Sequence, residues 1–305
     1  MFRSILVPLD GSPLGEQALP LAVSLARRVG AALEVAHVLV TPAPLYSERA
    51  AGMENTLDAR AREGARAYLD GVLNRLAQSG VPVTSALLEG GVAESIEGRV
   101  KARGIDLVVL TTHGRGAFSR FWLGSVTDRL IRRLEVPLLA VRPQEGPLDL
   151  SGGPVPQHFL LPLDGSPLAE QALEPALELA RLAQARCTLL RVVKPIVVAP
   201  ADLQWSAALG SDEAIVRELA DEARAYLERV AGRLRREGQP VEARVVLHPR
   251  PAAAILEEAR TAGADLIALG THGYGGVKRV LLGSVADKVL RGATTPVLVY
   301  RPAEV

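Results

Sequence analysis

The feature that most restricts what this chain can fold into is a repeat carried within its own length. Pro8-Leu9-Asp10-Gly11-Ser12-Pro13-Leu14 returns letter for letter as Pro162-Leu163-Asp164-Gly165-Ser166-Pro167-Leu168, and Glu16-Gln17-Ala18-Leu19 returns as Glu170-Gln171-Ala172-Leu173. A second pair lies further on. Thr111-Thr112-His113-Gly114, nine residues and Gly124-Ser125-Val126 stand against Gly270-Thr271-His272-Gly273, nine residues and Gly283-Ser284-Val285. The first pair is offset by 154 residues and the second, at the histidines, by 159, so a duplication with a net insertion of five residues explains both. A unit of about 145 residues is a whole domain, far longer than a solenoid repeat.

Within the first copy the periodicity alternates between strand and helix. Phe2 to Leu9 is an apolar β-rich run. Leu14 to Val29 has helical spacing, with Ser12 as N-cap, Pro13 early and Gly30 as stop. Ala32 to Val40 reads as a second strand, Thr41 to Met53 as irregular, and Leu57 to Gln78 as a long helix. Then follow strand Val81 to Leu88, helix Val92 to Ala102, apolar strand Asp106 to Leu110, helix Ser125 to Arg133 and strand Pro137 to Val141. The second copy repeats this from His158 to Arg301, with its irregular insert at about Lys194 to Gly210. Continuous apolar strands alternating with helices belong to a parallel sheet covered on both faces. The expected fold is therefore α/β: two tandem domains, each a five-stranded parallel sheet flanked by four helices, in which an order of 3-2-1-4-5 would make strands one and four neighbours. The expected boundaries are residues 1–143 and 157–305, joined by a Pro- and Gly-rich linker at 144–156.

Composition excludes several classes. With 48% apolar residues, 23% charged residues and a formal net charge of +1, the chain reads as globular, and its near-neutral charge argues against nucleic acid as the main partner, since binding phosphate backbones normally needs a basic surface. Cys187 is the single cysteine, so neither a disulfide framework nor a thiolate zinc centre is expected. Pro8 and Asp10 interrupt the N-terminal apolar run too early for a signal peptide, and no run reaches the ~18–20 residues of a membrane span. A cytoplasmic location is expected by elimination.

In open α/β sheets ligands lie beyond the carboxyl ends of the strands, where strand order switches. Both repeated segments fall there: Asp-Gly-Ser after strand one and the glycine loop after strand four. Backbone amides of a glycine loop and of a helix start point at an anion. The amides of Gly114, Gly124, Ser125 and Val126, and of Gly273, Gly283, Ser284 and Val285, are thus candidate phosphate ligands, with the Ser125 and Ser284 hydroxyls adding a bond each. Phosphates would repel Asp10 and Asp164, which suits these carboxylates to sugar hydroxyls or a base, with Mg²⁺ bridging as the alternative. The duller reading is that Asp-Gly-Ser simply makes the tight turn into the first helix. The loop is not a Walker A sequence: Lys278 falls mid-loop, and Ser119 occupies the matching first-copy position. No G-x-G-x-x-G follows either first strand. His113 and His272 have no nucleophile or second histidine at a telling spacing and read as loop-stabilising. Trp122, Trp205 and Tyr274 are too scattered for base stacking.

With those residues in hand, both halves resemble the universal stress protein family, and the whole chain resembles its tandem-domain members. The family's nucleotide-binding form carries G-x-x-G, nine residues, G-[S/T], which Gly270, Gly273, Gly283 and Ser284 match at each fixed position. Its opening, an apolar strand ending Pro-x-Asp-x-Ser, is matched by Pro8, Asp10 and Ser12 and by Pro162, Asp164 and Ser166. The resemblance implies a Rossmann-like or flavodoxin-like sheet of order 3-2-1-4-5 in each domain and ATP in each crevice, with AMP or ADP as alternatives. It implies that Asp10 and Asp164 contact the adenosine, carried by Pro8 and Leu9 and by Pro162 and Leu163. It also implies that Val38 and Val192 meet the adenine through backbone. Thr111 and Arg115 complete the first set; Thr111 stands where the second copy has Gly270, so a Cβ faces the ligand there. The Gly-x-Pro turn common after strand three is Gly90-Gly91-Val92 in the first copy and Pro249-Arg250-Pro251 in the second. The resemblance further implies an intrachain pseudo-dimer through the last strands, and leaves room for a homodimer of chains. The function expected is that of an ATP-binding, nucleotide-dependent regulatory or stress-response protein. Slow ATP hydrolysis and a nucleotide-free dimerisation scaffold are the alternatives.

Overall fold

The computed structural model of the chain describes residues 2–40, 48–112, 123–143, 146, 148–150, 154–195, 212–271 and 282–301, with side chains from 57 and 213 onward in the two long helices. It divides into two compact units, Met1–Val155 and Pro156–Val305.

In the first unit the strands are β1 (Ser4–Leu9), β2 (Ala32–Leu39), β3 (Val83–Glu89), β4 (Leu107–Thr111) and β5 (Leu138–Val141), in the spatial order β3-β2-β1-β4-β5. Every pairing is parallel. The expected topology holds, with β1 and β4 apolar apart from Ser4 and Thr111 and buried at the centre of the sheet: Ile5, Leu6, Val7 and Leu107 to Val109 have no exposed surface. Asp106 pins the N-terminal end of this pair, its Oδ2 accepting the amides of Arg3 at 2.7 Å and Ser4 at 3.0 Å.

The helices are α1 (Leu19–Val29), α2 (Glu48–Leu76), α3 (Val92–Arg103) and α4 (Ser125–Arg133). Two differ from expectation. The predicted helix from Leu14 is a 3-10 turn, Gly15–Ala18, followed by α1. Pro20 is the cause: lacking an N–H, it belongs in the first turn of a helix and resets the start to Leu19. Helix α2 starts nine residues before the predicted Leu57, inside the segment read as irregular. Leu57 is 55% exposed and most of 58–64 is exposed, so this end has no apolar stripe to betray it. Gly30 ends α1 at φ +71°, as its position suggested.

The second unit repeats the plan with β6 (His158–Pro162), β7 (Arg186–Val193), β8 (Val241–Leu247), β9 (Leu266–Gly270) and β10 (Val297–Tyr300), in the order β8-β7-β6-β9-β10. Its helices are α5 (Pro167–Gln171), α6 (Leu173–Ala183), α7 (Asp212–Arg236), α8 (Pro251–Thr261) and α9 (Ser284–Gly292). The 3-10 turn of the first unit is here the short helix α5. Asp265 pins β6 as Asp106 pins β1, accepting Gln157 N at 2.9 Å and His158 N at 3.0 Å. No helix among the described residues is long and apolar enough to cross a membrane.

Candidate functional site

The topology brings the two repeated segments together. β1 pairs with β2 on one side and β4 on the other, so the ends of β1 and β4 are neighbours with connections leaving in opposite directions. β6, β7 and β9 have the same arrangement. This is the switch point at which an α/β sheet opens a crevice.

One wall is the Asp-Gly-Ser corner. Asp10 Oδ1 accepts the Ser12 amide at 2.9 Å and its hydroxyl at 2.6 Å, while Ser12 Oγ accepts the Gly15 amide at 3.0 Å. The second corner is its duplicate: Ser166 donates to Asp164 Oδ1 at 3.0 Å from N and 2.6 Å from Oγ, and Ser166 Oγ accepts Ala169 N at 3.1 Å. Gly11 and Gly165 sit at φ +80° and +84°, the left-handed region that this bend requires. Pro8 and Leu9, and Pro162 and Leu163, are the strand ends from which the corners spring. The turn reading of Asp-Gly-Ser is therefore correct as far as it goes. It does not compete with a binding role, because the circuit fixes each carboxylate at the crevice.

The other wall is a helix start. α4 and α9 begin after Gly124 and Gly283, neither of which makes a side-chain cap, so among the described residues Ser125-Val126 and Ser284-Val285 form first turns with no N-cap side chain closing them. Gly124 N donates to Thr112 O at 2.8 Å, and Gly283 N to Thr271 O at 2.8 Å. The role assigned to these two amides from the sequence therefore changes. They tie the helix start to the strand end, and the amides left to face an anion are those of the residues that follow. A Cβ on Gly124 would stand 2.9 Å from Thr112 O, which is why the position is glycine. Thr111 and Gly270 are the last residues of β4 and β9, paired with Val141 and Tyr300. Val38 and Val192 lie half-buried near the ends of β2 and β7. Gly114, Arg115 and Gly273, with His113 and His272, lie outside the described residues.

Behind each corner stands a polar cluster that the sequence reading did not single out. Glu16 receives Arg75 Nη1 at 2.8 Å, and Glu170 receives Arg233 at 3.4 Å and the Tyr226 hydroxyl at 3.0 Å. Tyr68 occupies the corresponding place; burial, then the charge of Glu16, pushes its phenol ionisation far up, and burial followed by Glu170 does the same for Tyr226. These clusters tie the turn after the corner to the long helix α2 or α7. A signal existed: Ala65-Arg66-Ala67-Tyr68-Leu69 recurs unchanged as Ala223-Arg224-Ala225-Tyr226-Leu227. Next to each cluster, the carbonyl ending the first strand meets a side chain from the second: His37 Nδ1 lies 2.8 Å from Leu9 O, and Arg191 Nη1 donates to Leu163 O at 3.3 Å.

Fold and crevice together define a tandem α/β protein whose two halves each present a carboxylate corner opposite an open helix start. The family description "Universal stress protein family" matches residues 1–142 and 156–301. The chain belongs to the universal stress protein family, with two family domains in tandem. A universal stress protein of Mycolicibacterium smegmatis is 30% identical over 98% of this chain and 97% of its own length. One from Mycobacterium tuberculosis is 36% identical over 64% of this chain; that match spans 62% of the relative. Among solved structures, a universal stress protein of Archaeoglobus fulgidus shares the fold, with a TM-score of 0.68 at 20% identity and 99% coverage of both chains.

Proposed function

We propose that this chain binds an adenine nucleotide, ATP in the first instance, in each unit and acts as a nucleotide-dependent regulatory protein. The observation that carries this reading is the open helix start facing the Asp-Gly-Ser corner across the switch point, built twice from the same residues. Phosphates would lie against the first turns of α4 and α9, where Ser125, Val126, Ser284 and Val285 present amides and two hydroxyls. Asp10 and Asp164 would then face the sugar, and the backbone at Val38 and Val192 the base. A helix start contributes about 0.3–1 kcal/mol toward an anion, and up to ~2 when partly buried. Micromolar affinity needs about 8 kcal/mol, so the base pocket must supply much of the rest. Among the described residues no cluster of His, Cys, Asp or Glu assembles a metal site, so a Mg²⁺ ion would be held chiefly through the phosphates.

The test begins with the purified chain, denatured and its supernatant chromatographed for adenine nucleotide, followed by titration with ATP-Mg. The expected result is a co-purified nucleotide or a thermal shift on adding ATP-Mg, and half the stoichiometry after bulky replacement of Gly283 and Ser284. A clean supernatant with no shift overturns the reading in favour of a nucleotide-free scaffold. Phosphate release above the blank, lost with the same replacement, makes the protein an ATPase as well.

A further inference from the structure

The two units carry the same crevice with opposite surroundings. Register makes their strands comparable position by position: Leu33 faces Val83 as Cys187 faces Val241, and Gly90 N donates to Leu39 O at 3.0 Å as His248 N does to Val193 O. At the ends of β2 and β3 and the cap of α3, the first unit has His37, Val40, Gly90 and Gly91. At the ends of β7 and β8 and the cap of α8, the second has Arg191, Lys194, His248 and Arg250. Three permanent cations stand where the first unit has none. The one charged pair on the first rim, Arg62 with Glu89 at 3.0 Å, is self-neutralising, and Ala220 and Leu247 take those places in the second.

We propose that the second unit has an anion subsite at the ends of β7 and β8, and that its ligand is a nucleotide bearing a second phosphate away from its 5′ chain. This rests on the adenine-nucleotide reading of the same crevice. Arg191 is half-buried on the crevice wall. Its guanidinium lies over the corner, with Nη1 3.3 Å from where a Cβ on Gly165 would stand, and it is held there by Leu163 O. Asp164 and Arg191 act on the Tyr226 phenol in opposite directions, which places both charges at this corner. Lys194 and Arg250 are exposed, and neither has an ion-pair partner among the described residues. Among the described residues, the acids at this corner are Asp164 and Glu170, the latter engaged by Tyr226 and Arg233.

The four adjacent strand ends from β9 across β6 and β7 to β8 span roughly 14 Å, since neighbouring strands lie about 4.8 Å apart. That is the scale of a nucleoside with a phosphate on either side. A nucleotide with its 5′-phosphate at the start of α9 and its sugar at Asp164 would turn a 2′- or 3′-phosphate toward Arg191, Lys194 and Arg250. A solvated basic rim serving solubility alone would not need a guanidinium laid against the corner.

The experiment is calorimetric titration of the full chain with AMP and with adenosine 3′,5′-bisphosphate at low and moderate salt. One of the two sites should take the bisphosphate about tenfold more tightly than AMP, with the preference shrinking as salt rises. Lys194→Ala with Arg250→Ala should erase the preference and leave AMP binding as it was. Val40→Lys with Gly91→Arg, both at exposed positions, should create a preference in the first unit. Equal affinity for the two ligands at both sites, or a preference that survives the double alanine replacement, overturns the subsite alone. Absence of binding by every adenine nucleotide overturns the nucleotide reading and the subsite with it.

Discussion

Replacing Gly124 by alanine isolates one methyl group at the mouth of the first crevice. The backbone there, φ −56° and ψ 142°, suits any residue, so the demand for glycine is purely one of space. The added Cβ would lie 2.9 Å from Thr112 O, the same oxygen that accepts Gly124 N at 2.8 Å. Relief needs a separation of about half an ångström more, and Thr112 cannot easily retreat: it is 5% exposed, and its own amide donates to Val141 O at 2.8 Å. Either the loop-closing hydrogen bond stretches, at about 1 kcal/mol, or α4 shifts with its buried Leu130 and Ile131, an overpacking cost of ~1–3 kcal/mol. Moving the first turn of α4 by that amount should also weaken nucleotide binding in the first unit about tenfold, the equivalent of ~1.4 kcal/mol. Gly98→Ala is the control, because its Cβ would meet nothing within 4 Å and lies inside α3, where alanine is favoured by about 0.5–1 kcal/mol. Urea denaturation and nucleotide titration of both variants decide the matter. If Gly124→Ala is as stable as Gly98→Ala and binds with unchanged affinity, the close contact does not set the geometry of the helix start and the argument fails.

Two further outcomes concern stability. Arg99→Ala should cost about 3 kcal/mol, near the low end for breaking a buried pair because Arg99 keeps 26% of its side chain in water. It removes both short bonds to the Glu34 carboxylate, 2.7 and 2.8 Å on a residue 5% exposed, and leaves it the looser Arg103 at 3.9 Å. Adding Glu34→Thr, which copies Thr188 of the second unit, should recover most of that in urea melts; equal losses for the single and double variants would contradict it. His158, 4% exposed, accepts Arg186 at Nδ1 (3.2 Å) and so donates from Nε2 to Thr188 Oγ1 (2.8 Å), which makes it the neutral ring. Burial first, then Arg186, lowers its pKa below the ordinary 6.5. The unfolded chain therefore takes up the proton first, so the stability His158 contributes is complete above about pH 6.5 and is lost as pH falls through the folded value. Stability measured at pH 7 and pH 5 should fall further in the wild type than in His158→Gln, and parallel curves would refute the assignment.

The parts of this architecture that were legible in the sequence are those written locally. The parallel sheet follows from apolar runs that must be buried on both faces, and the Asp-Gly-Ser corner from a bend whose hydrogen bonds span two or three residues. The Glu16–Arg75 tie was not legible because it joins residues 59 apart, although the duplicated Ala-Arg-Ala-Tyr-Leu run marked the helix face involved. The start of α2 was missed because periodicity reports packing against a core, and of residues 57–64 only Asp58 is not fully exposed. The assignment of the Gly124 and Gly283 amides to phosphate went astray for a different reason. Spacing shows which amides a helix start offers, but not which of them a strand carbonyl has already taken.

Comparing the two copies separates what folding demands from what it does not. Polar pairs have been exchanged as units: the largely buried Glu34–Arg99 in the first, the buried Thr188–His158 and the half-exposed Arg244–Glu258 in the second. Such exchanges are cheap only when both partners change, since one left alone is a buried unpaired charge. The corner has been kept whole, but its circuit of Asp, Ser and a helix amide would be kept for folding alone, because each member satisfies another. The helix starts are different. A Ser, Thr or Asp at the N-cap would add only about a few tenths of a kcal/mol over glycine, and both units place glycine there, with no side-chain cap from that residue. Sterics at Thr112 explain the glycine; they do not explain a hydroxyl one residue later that caps nothing among the described residues. Ser125→Ala and Ser284→Ala should therefore leave urea midpoints within about 0.5 kcal/mol of the wild type while weakening nucleotide binding in their own unit several-fold. Loss of stability without loss of binding would make these serines structural and would return the crevice to the status of a well-made turn.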